Sequence, residues 1–186
     1  MSITRNQIAI IAAIILVAGA ALYAMRHPLI CKCGAVKLWH FNVVSAENSQ
    51  HIFDWYTPSH VIHGFLFYFL FWLIAPRSSL GTRLILAVLL ETSWEVIENT
   101  DFVIDRYREA TVALDYYGDS VLNSVCDILF MILGFVLAAR FPVWVTVLLA
   151  IAFEVLTTIM IRDGLALNII MLLWPSEAIL HWQNGR

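Results

Sequence analysis

Eighteen consecutive residues at 8–25 carry no charged side chain, and this run constrains the fold more than any other feature of the chain. As a helix rising about 1.5 Å per residue it reaches roughly 27 Å, close to a hydrocarbon core of about 30 Å. Further apolar runs follow at 61–75, 84–90, 121–139 and 143–161. A backbone in lipid must satisfy its own N–H and C=O groups, which leaves only helices or closed barrels. Barrel strands alternate apolar and polar residues, whereas these runs are continuous, so helices are expected.

The overall balance agrees. The chain is 61% hydrophobic and 13% charged, against about 45–50% and about 25% in soluble domains. A water-soluble globule and a disordered chain are excluded, and three cysteines are too few for a disulfide scaffold. A net charge of −3 leaves no basic footprint for nucleic acid. Seven Trp and six Tyr suit the membrane–water interface, and membrane lipids are the expected surroundings.

The expected fold is all-α, a polytopic membrane helical bundle forming a single integral membrane domain over 1–186. Five transmembrane helices are read at about 8–25, 60–75, 84–98, 121–139 and 143–161. The first has a rival reading as a cleaved signal peptide, but Arg5 is its only leading charge and its apolar core exceeds the usual length of about 7–15 residues, which favours a retained helix. Thr57 is the expected cap of the second helix, with Pro58 at its first position. The last apolar stretch, 165–174, has ten residues before Pro175. Segment 165–182 is therefore either a short re-entrant half-helix or a sixth C-terminal span. Residues 29–56 read as an aromatic loop packed on the membrane face, and 99–120 as a second, charged loop. The tight turns carry Arg77, Arg83 and Arg140 and no acid, which suits the cytoplasm. The N-terminus is then cytoplasmic and both long loops lie outside.

Acidic residues crowd one region. Of 14 Asp and Glu, nine fall between 91 and 127: Glu91, Glu95, Glu98, Asp101, Asp105, Glu109, Asp115, Asp119 and Asp127. Glu91, Glu95 and Glu98 share one helix face by their i, i+4, i+7 spacing. A central ionised residue costs about 2.5–3.5 kcal/mol on insertion scales, so these groups must lie near the interface, or be protonated, paired or cation-bound. Antiparallel packing brings the outer ends of helices two, three and four to one depth. His60 and His63 then converge with Glu91–Glu98 and with Asp119, Asn123 and Asp127. Two imidazoles with carboxylates suit zinc or a di-metal centre. The plainer account is that the His residues anchor the interface while the acids pair with Arg106 and Arg108. Glu154, mid-membrane, is a functional candidate by its position, or else pairs with Arg162 or donates as a protonated acid. Cys31-Lys32-Cys33 looks too close for easy disulfide geometry, leaving an inert role, a metal, or pairing with another molecule. Cys126 reads as a small core residue. No Glu-x-x-His pair, histidine box, Pro-Ser-Gly-His or Gly-x-Ser-x-Gly motif occurs.

These residues carry a resemblance. Ser45-Ala-Glu-Asn-Ser-Gln-His51, Asp54-Trp-Tyr-Thr-Pro-Ser-His-Val-Ile-His-Gly64, Trp94-Glu-Val-Ile-Glu-Asn99, Ile104-Asp-Arg-Tyr-Arg-Glu-Ala110, Leu114-Asp-Tyr-Tyr-Gly-Asp-Ser120 and Asn123-Ser-Val-Cys-Asp127 together resemble a small family of bacterial multi-pass inner-membrane proteins of unknown function. The resemblance covers nearly the whole chain and implies an inner-membrane location without supplying a reaction. A remote similarity runs to VanZ-like proteins through Gly118-Asp119, Asn123, Asp127 and Gly134. A partial one runs to the lipoprotein signal peptidase, a membrane aspartyl protease, through Asp105-Arg106, Asp115 and Asn123 to Asp127. Here the Asn-to-Asp interval is one residue longer.

Three functional expectations follow. The first is a metal-dependent hydrolase or transferase acting at the outer face on a lipid-linked substrate. Its cofactor is a divalent metal, zinc or similar, held by His60, His63, Glu95 and Glu98 with Asp119 or Asp127. Glu91, Asp115 and Asp127 are the candidate catalytic carboxylates, with Glu91 or Asp115 as general base, and Arg106 and Arg108 bind a substrate phosphate. The second is a non-enzymatic assembly or accessory protein. The third is an aspartyl protease using Asp115 and Asp127.

Overall fold

A computed structural model describes residues 3–43, 45–111 and 116–185. The described residues form helices joined by loops, with no strand among them: α1 Arg5–Ala24, α2 Thr57–Ile74, α3 Leu80–Glu98, α4 Asp101–Ala110, α5 Val121–Arg140, α6 Val143–Ile161, α7 Leu165–Leu173 and α8 Glu177–Asn184. Four of them, α1, α2, α5 and α6, are long and apolar enough to cross a membrane. The nineteen residues of α3 are as long, but Glu91, Glu95 and Glu98 lower its hydropathy.

Glycine decides how α2 meets α5. A Cβ on Gly64 would stand 2.2 Å from the Met131 carbonyl oxygen, and one on Gly134 would stand 2.1 Å from that of Val61. With hydrogen at both positions the two backbones touch, the close approach that small residues permit between membrane helices. Around this crossing Phe71, Leu84, Ala87, Val88, Ile128, Met131 and Phe135 close a core to which Ala18 of α1 belongs. The outer flanks of α1 and α6 remain apolar and exposed, as Leu16, Val17 and Ile159 illustrate, which fits helices bordering lipid.

Helix starts follow side-chain chemistry. Thr4 and Gln7 form a capping box on α1, and the Ser79 and Ser120 hydroxyls accept from the third helical N–H of α3 and α5. Gln7 also donates to Ser79 at 3.2 Å, so α1 and α3 begin side by side at one end of the bundle. Thr57 departs from its expected role. Tyr56 is the N-cap and Thr57 the first helical residue, because its hydroxyl is already engaged, accepting from the Asp54 N–H at 3.0 Å.

Two regions read as loops or spans are differently built. Residues 101–110, within the expected charged loop, form α4, which buries Val103, Ile104, Tyr107 and Ala110 on one face. After α6, Arg162 adopts the left-handed conformation, and α7 and α8 fold into a hairpin. The Gln183 amide donates to the Arg162 carbonyl at 3.0 Å, and the Arg162 guanidinium donates to the Trp182 carbonyl at 2.6 Å. Segment 165–184 thus starts and ends at one place, tied there by Arg162. Glu154 explains how the hairpin starts: its carboxylate accepts the Leu165 and Ala166 N–H groups at 3.1 and 2.7 Å. These are orphan donors of a helix N-terminus, so the mid-helix acid caps α7.

Candidate functional site

Three helices deliver one buried cluster. His60 and His63 lie a turn apart near the start of α2, Glu91 and Glu95 a turn apart in the second half of α3, and Asp127 in the second turn of α5. Glu91 and Glu95 are 0% exposed, Asp127 4% and His60 8%. His60 Nδ1 stands 2.7 Å from Glu91 Oε1 and 3.5 Å from Glu95 Oε1, while its Nε2 faces Asp127 Oδ2 at 3.8 Å. His63 Nδ1 lies 3.0 and 3.2 Å from the two Glu91 oxygens and its ring stacks on Phe67. An ionised carboxylate only accepts, so Glu91 receives the Nδ1–H of both rings and a neutral ring keeps its lone pair on Nε2. Partners of this kind fix the tautomer and orientation of metal-binding histidines.

The rest of the cluster is unsatisfied. Neither Glu95 oxygen has a hydrogen-bond partner among the described residues, and neither does Asp127 Oδ1. Buried carboxylates without donors are costly and uncommon. Two sets, His60 with His63 and Glu91, and His60 with Glu95 and Asp127, each offer donor atoms lying within 4.8 Å of one another. Imidazole nitrogen and carboxylate oxygen are the donor types of zinc and similar divalent ions. The residues therefore fit such an ion.

Other predicted site residues sit elsewhere. Glu98 is engaged by the Tyr107 hydroxyl at 3.0 Å, whose oxygen also lies 2.7 Å from Asn168 Oδ1. Asp119 accepts from the Asn99 amide at 2.8 Å and from the Tyr116 hydroxyl at 2.9 Å. Burial pushes the Asp119 carboxyl up, and these two donors oppose the shift. Burial likewise raises the Tyr107 and Tyr116 phenols, which keeps both as donors. Arg106 donates to the Leu172 carbonyl in the last turn of α7 at 3.1 Å, and Arg108 to the Tyr116 carbonyl and to Asp105. Among the described residues these bonds hold both guanidinium groups away from the His–carboxylate cluster. Asp115 lies outside the described residues, so the Asp115–Asp127 dyad has no described geometry.

Sequence reasoning missed the lid over this cluster. His27 places its two ring nitrogens 3.0 and 2.9 Å from the Asp119 and Asn99 carbonyls. Gln50 donates to the Gly118 carbonyl at 2.8 Å, Ser120 Oγ to the Gln50 carbonyl at 3.1 Å and Asn123 Nδ2 to the His51 carbonyl at 2.9 Å. These contacts span 68 to 92 positions, so no local spacing signals them. In the same loop the Lys37 ammonium and His51 ring bind Glu47 and hold its carboxyl down to about 2. Cys31 and Cys33 form a disulfide. The turn at 32–34, with Gly34 at φ 77°, sets their Cα atoms 5.1 Å apart, inside the usual disulfide range of about 4.4–6.8 Å.

A family model described as protein of unknown function DUF2585 matches residues 22–185. The chain belongs to the DUF2585 family. Curated relatives carry the name UPF0314 protein. That of Paracoccus denitrificans is 63% identical over 170 residues, covering 91% of this chain and 88% of the relative. That of Brucella anthropi is 52% identical over 176 residues, covering 95% and 89%. That of Agrobacterium fabrum is 51% identical over 189 residues, covering 100% of this chain and 96% of the relative. No solved structure matches the chain.

Proposed function

We propose that this DUF2585 protein is a multi-pass inner-membrane enzyme with a divalent-cation centre, a hydrolase or transferase acting on a lipid-linked substrate at the outer face. The observation carrying this reading is Glu95. Both its oxygens are buried without a hydrogen-bond donor, Oε1 stands 3.5 Å from the His60 imidazole, and Asp127, whose Oδ1 is likewise without a partner among the described residues, lies beside it. His60, Glu95 and Asp127 hold the ion, and Glu91 is a positioning residue that orients His60 and His63. The bound ion supplies Lewis acidity and an acidified water. His63 and His60 are the most exposed members, at 14% and 11% of their side chains, so access runs along α2. In this reading α3 is a fifth span, whose acids the cluster compensates.

Zinc content of purified protein tests the centre. About one zinc per chain is expected, lost in Glu95→Gln and Asp127→Asn while the variants still accumulate as folded protein. Incubating zinc-loaded protein with inner-membrane lipid extract is expected to release a water-soluble headgroup, and Glu95→Gln is expected not to. Zinc retention no greater in wild type than in Glu95→Gln overturns the reading and leaves a non-enzymatic assembly role.

A further inference from the structure

The outer loop holds a second donor cluster built from different chemistry. Cys31, Cys33, Glu47 and His51 place one sulfur, oxygen or nitrogen donor each within 4.8 Å of the others. Cys31 and His51 are buried, Glu47 is half-buried and Cys33 is exposed. We infer that these four residues form a redox-gated zinc site, closed as the Cys31–Cys33 disulfide and opened when a dithiol reduces it.

The donor set fits the ion. Two thiolates, an imidazole and a carboxylate make a four-coordinate set of the types zinc takes, and thiolate ligands favour zinc over magnesium, calcium or manganese. The Cys33 N–H already points at Cys31 Sγ at 3.1 Å, a donor that stabilises the thiolate once it forms. Glu47 takes its bonds from Lys37 and His51 through Oε2, and Oε1 makes none of these. Beside it the buried His40 ring has no hydrogen-bond partner for Nε2 among the described residues, and its Nδ1 stands 3.9 Å from Glu47 Oε2.

The disulfide form is the wrong one for the ion. Its two sulfurs are bonded to each other, and His51 accepts the Lys37 backbone N–H on Nδ1 at 3.3 Å, so its ring proton sits on Nε2 facing Glu47 at 3.1 Å. Ligation through Nε2 moves that proton to Nδ1 and breaks the long bond to Lys37. Reduction is balanced by the external dithiol: its two electrons and two protons convert the disulfide to two thiols, and it becomes a disulfide itself. Zinc then displaces the thiol protons to solvent. With one residue between the cysteines, the crosslink removes little unfolded-chain entropy, so it is a poor staple and suits a switch.

The test uses full-length protein in detergent carrying Cys126→Ser, which leaves Cys31 and Cys33 as its only cysteines. Cobalt(II) is the probe, because a thiolate-to-cobalt charge-transfer band reports sulfur ligation and cannot arise from the His60–Asp127 cluster. The band is expected at about one cobalt per chain after phosphine reduction, absent without reduction, abolished by Cys33→Ser, and displaced by equimolar zinc. His51→Gln and Glu47→Gln are each expected to weaken cobalt affinity by about tenfold or more. No band on reducing the Cys126→Ser protein overturns the proposal. So does a band of unchanged affinity in both His51→Gln and Glu47→Gln, which assigns the ion to the thiols alone. Loss of the membrane centre in Glu95→Gln leaves this band intact, so the two proposals fail separately.

Discussion

Replacing one oxygen of Glu91 by an amide nitrogen turns half of an acceptor into a donor, and both imidazoles depend on that acceptor. Glu91→Gln is therefore expected to misorient the rings without emptying the cluster. Its zinc affinity, measured by competition with a chromophoric chelator, should fall about 10–100-fold, as for other partners of metal-binding histidines. Asp119 supplies the contrast. It ties Asn99 and Tyr116 together, so Asp119→Ala should lower stability by about 3 kcal/mol, read by thermal unfolding in detergent, and leave zinc affinity unchanged. At this scale helical spacing was informative within a helix: it paired His60 with His63 and Glu91 with Glu95. It was uninformative about what faces the helix. Glu98 continues the same stripe, yet Tyr107 of α4 meets it at the last turn, and no spacing within α3 encodes that.

The long helices were legible because lipid-length apolar runs leave few alternatives. The expected 121–139 and 143–161 match α5 and α6 nearly residue for residue, and the others start three to four residues early because caps such as Thr4 and Ser79 extend them. Helix α4 was read as loop since charges dominate it, although Val103, Ile104, Tyr107 and Ala110 already show helical spacing. Helix contacts, unlike helix positions, depend on single glycines. Gly64→Ala places a methyl 2.2 Å from the Met131 carbonyl, so α2 and α5 must part and stability should drop by about 3 kcal/mol. Gly19→Ala, whose methyl meets only side chains, Val121 at 3.4 Å and Val125 at 3.9 Å, should be neutral or slightly stabilising. Equal thermal shifts for the two would remove the backbone-contact account. Glu154→Ala, which strips the cap from α7, should cost about 1 kcal/mol in the same assay.

For the whole molecule, the two long loops expected on one side of the membrane are joined into a single lid by His27, Gln50 and Asn123. The hairpin α7–α8 closes against the same end, through Arg106 of α4 and Arg162. At the opposite end lie Arg77 in the turn between α2 and α3, Arg83 in the first turn of α3 and Arg140 at the end of α5. Two physical arguments then give one orientation. Cationic short loops stay in the cytoplasm, and a disulfide such as Cys31–Cys33 persists in an oxidising compartment, so the lid is expected to face outward. Cysteine labelling decides it, in a Cys126→Ser background whose remaining pair is joined. Phe102→Cys on α4, at a position 81% exposed, should react with a membrane-impermeant maleimide in cells with a permeabilised outer membrane. Phe141→Cys, at a position 42% exposed in the turn between α5 and α6, should react only after lysis. The reverse pattern would put the lid in the reducing cytosol, where the loop cysteines would rest as thiols and the membrane cluster would face substrates of the inner leaflet.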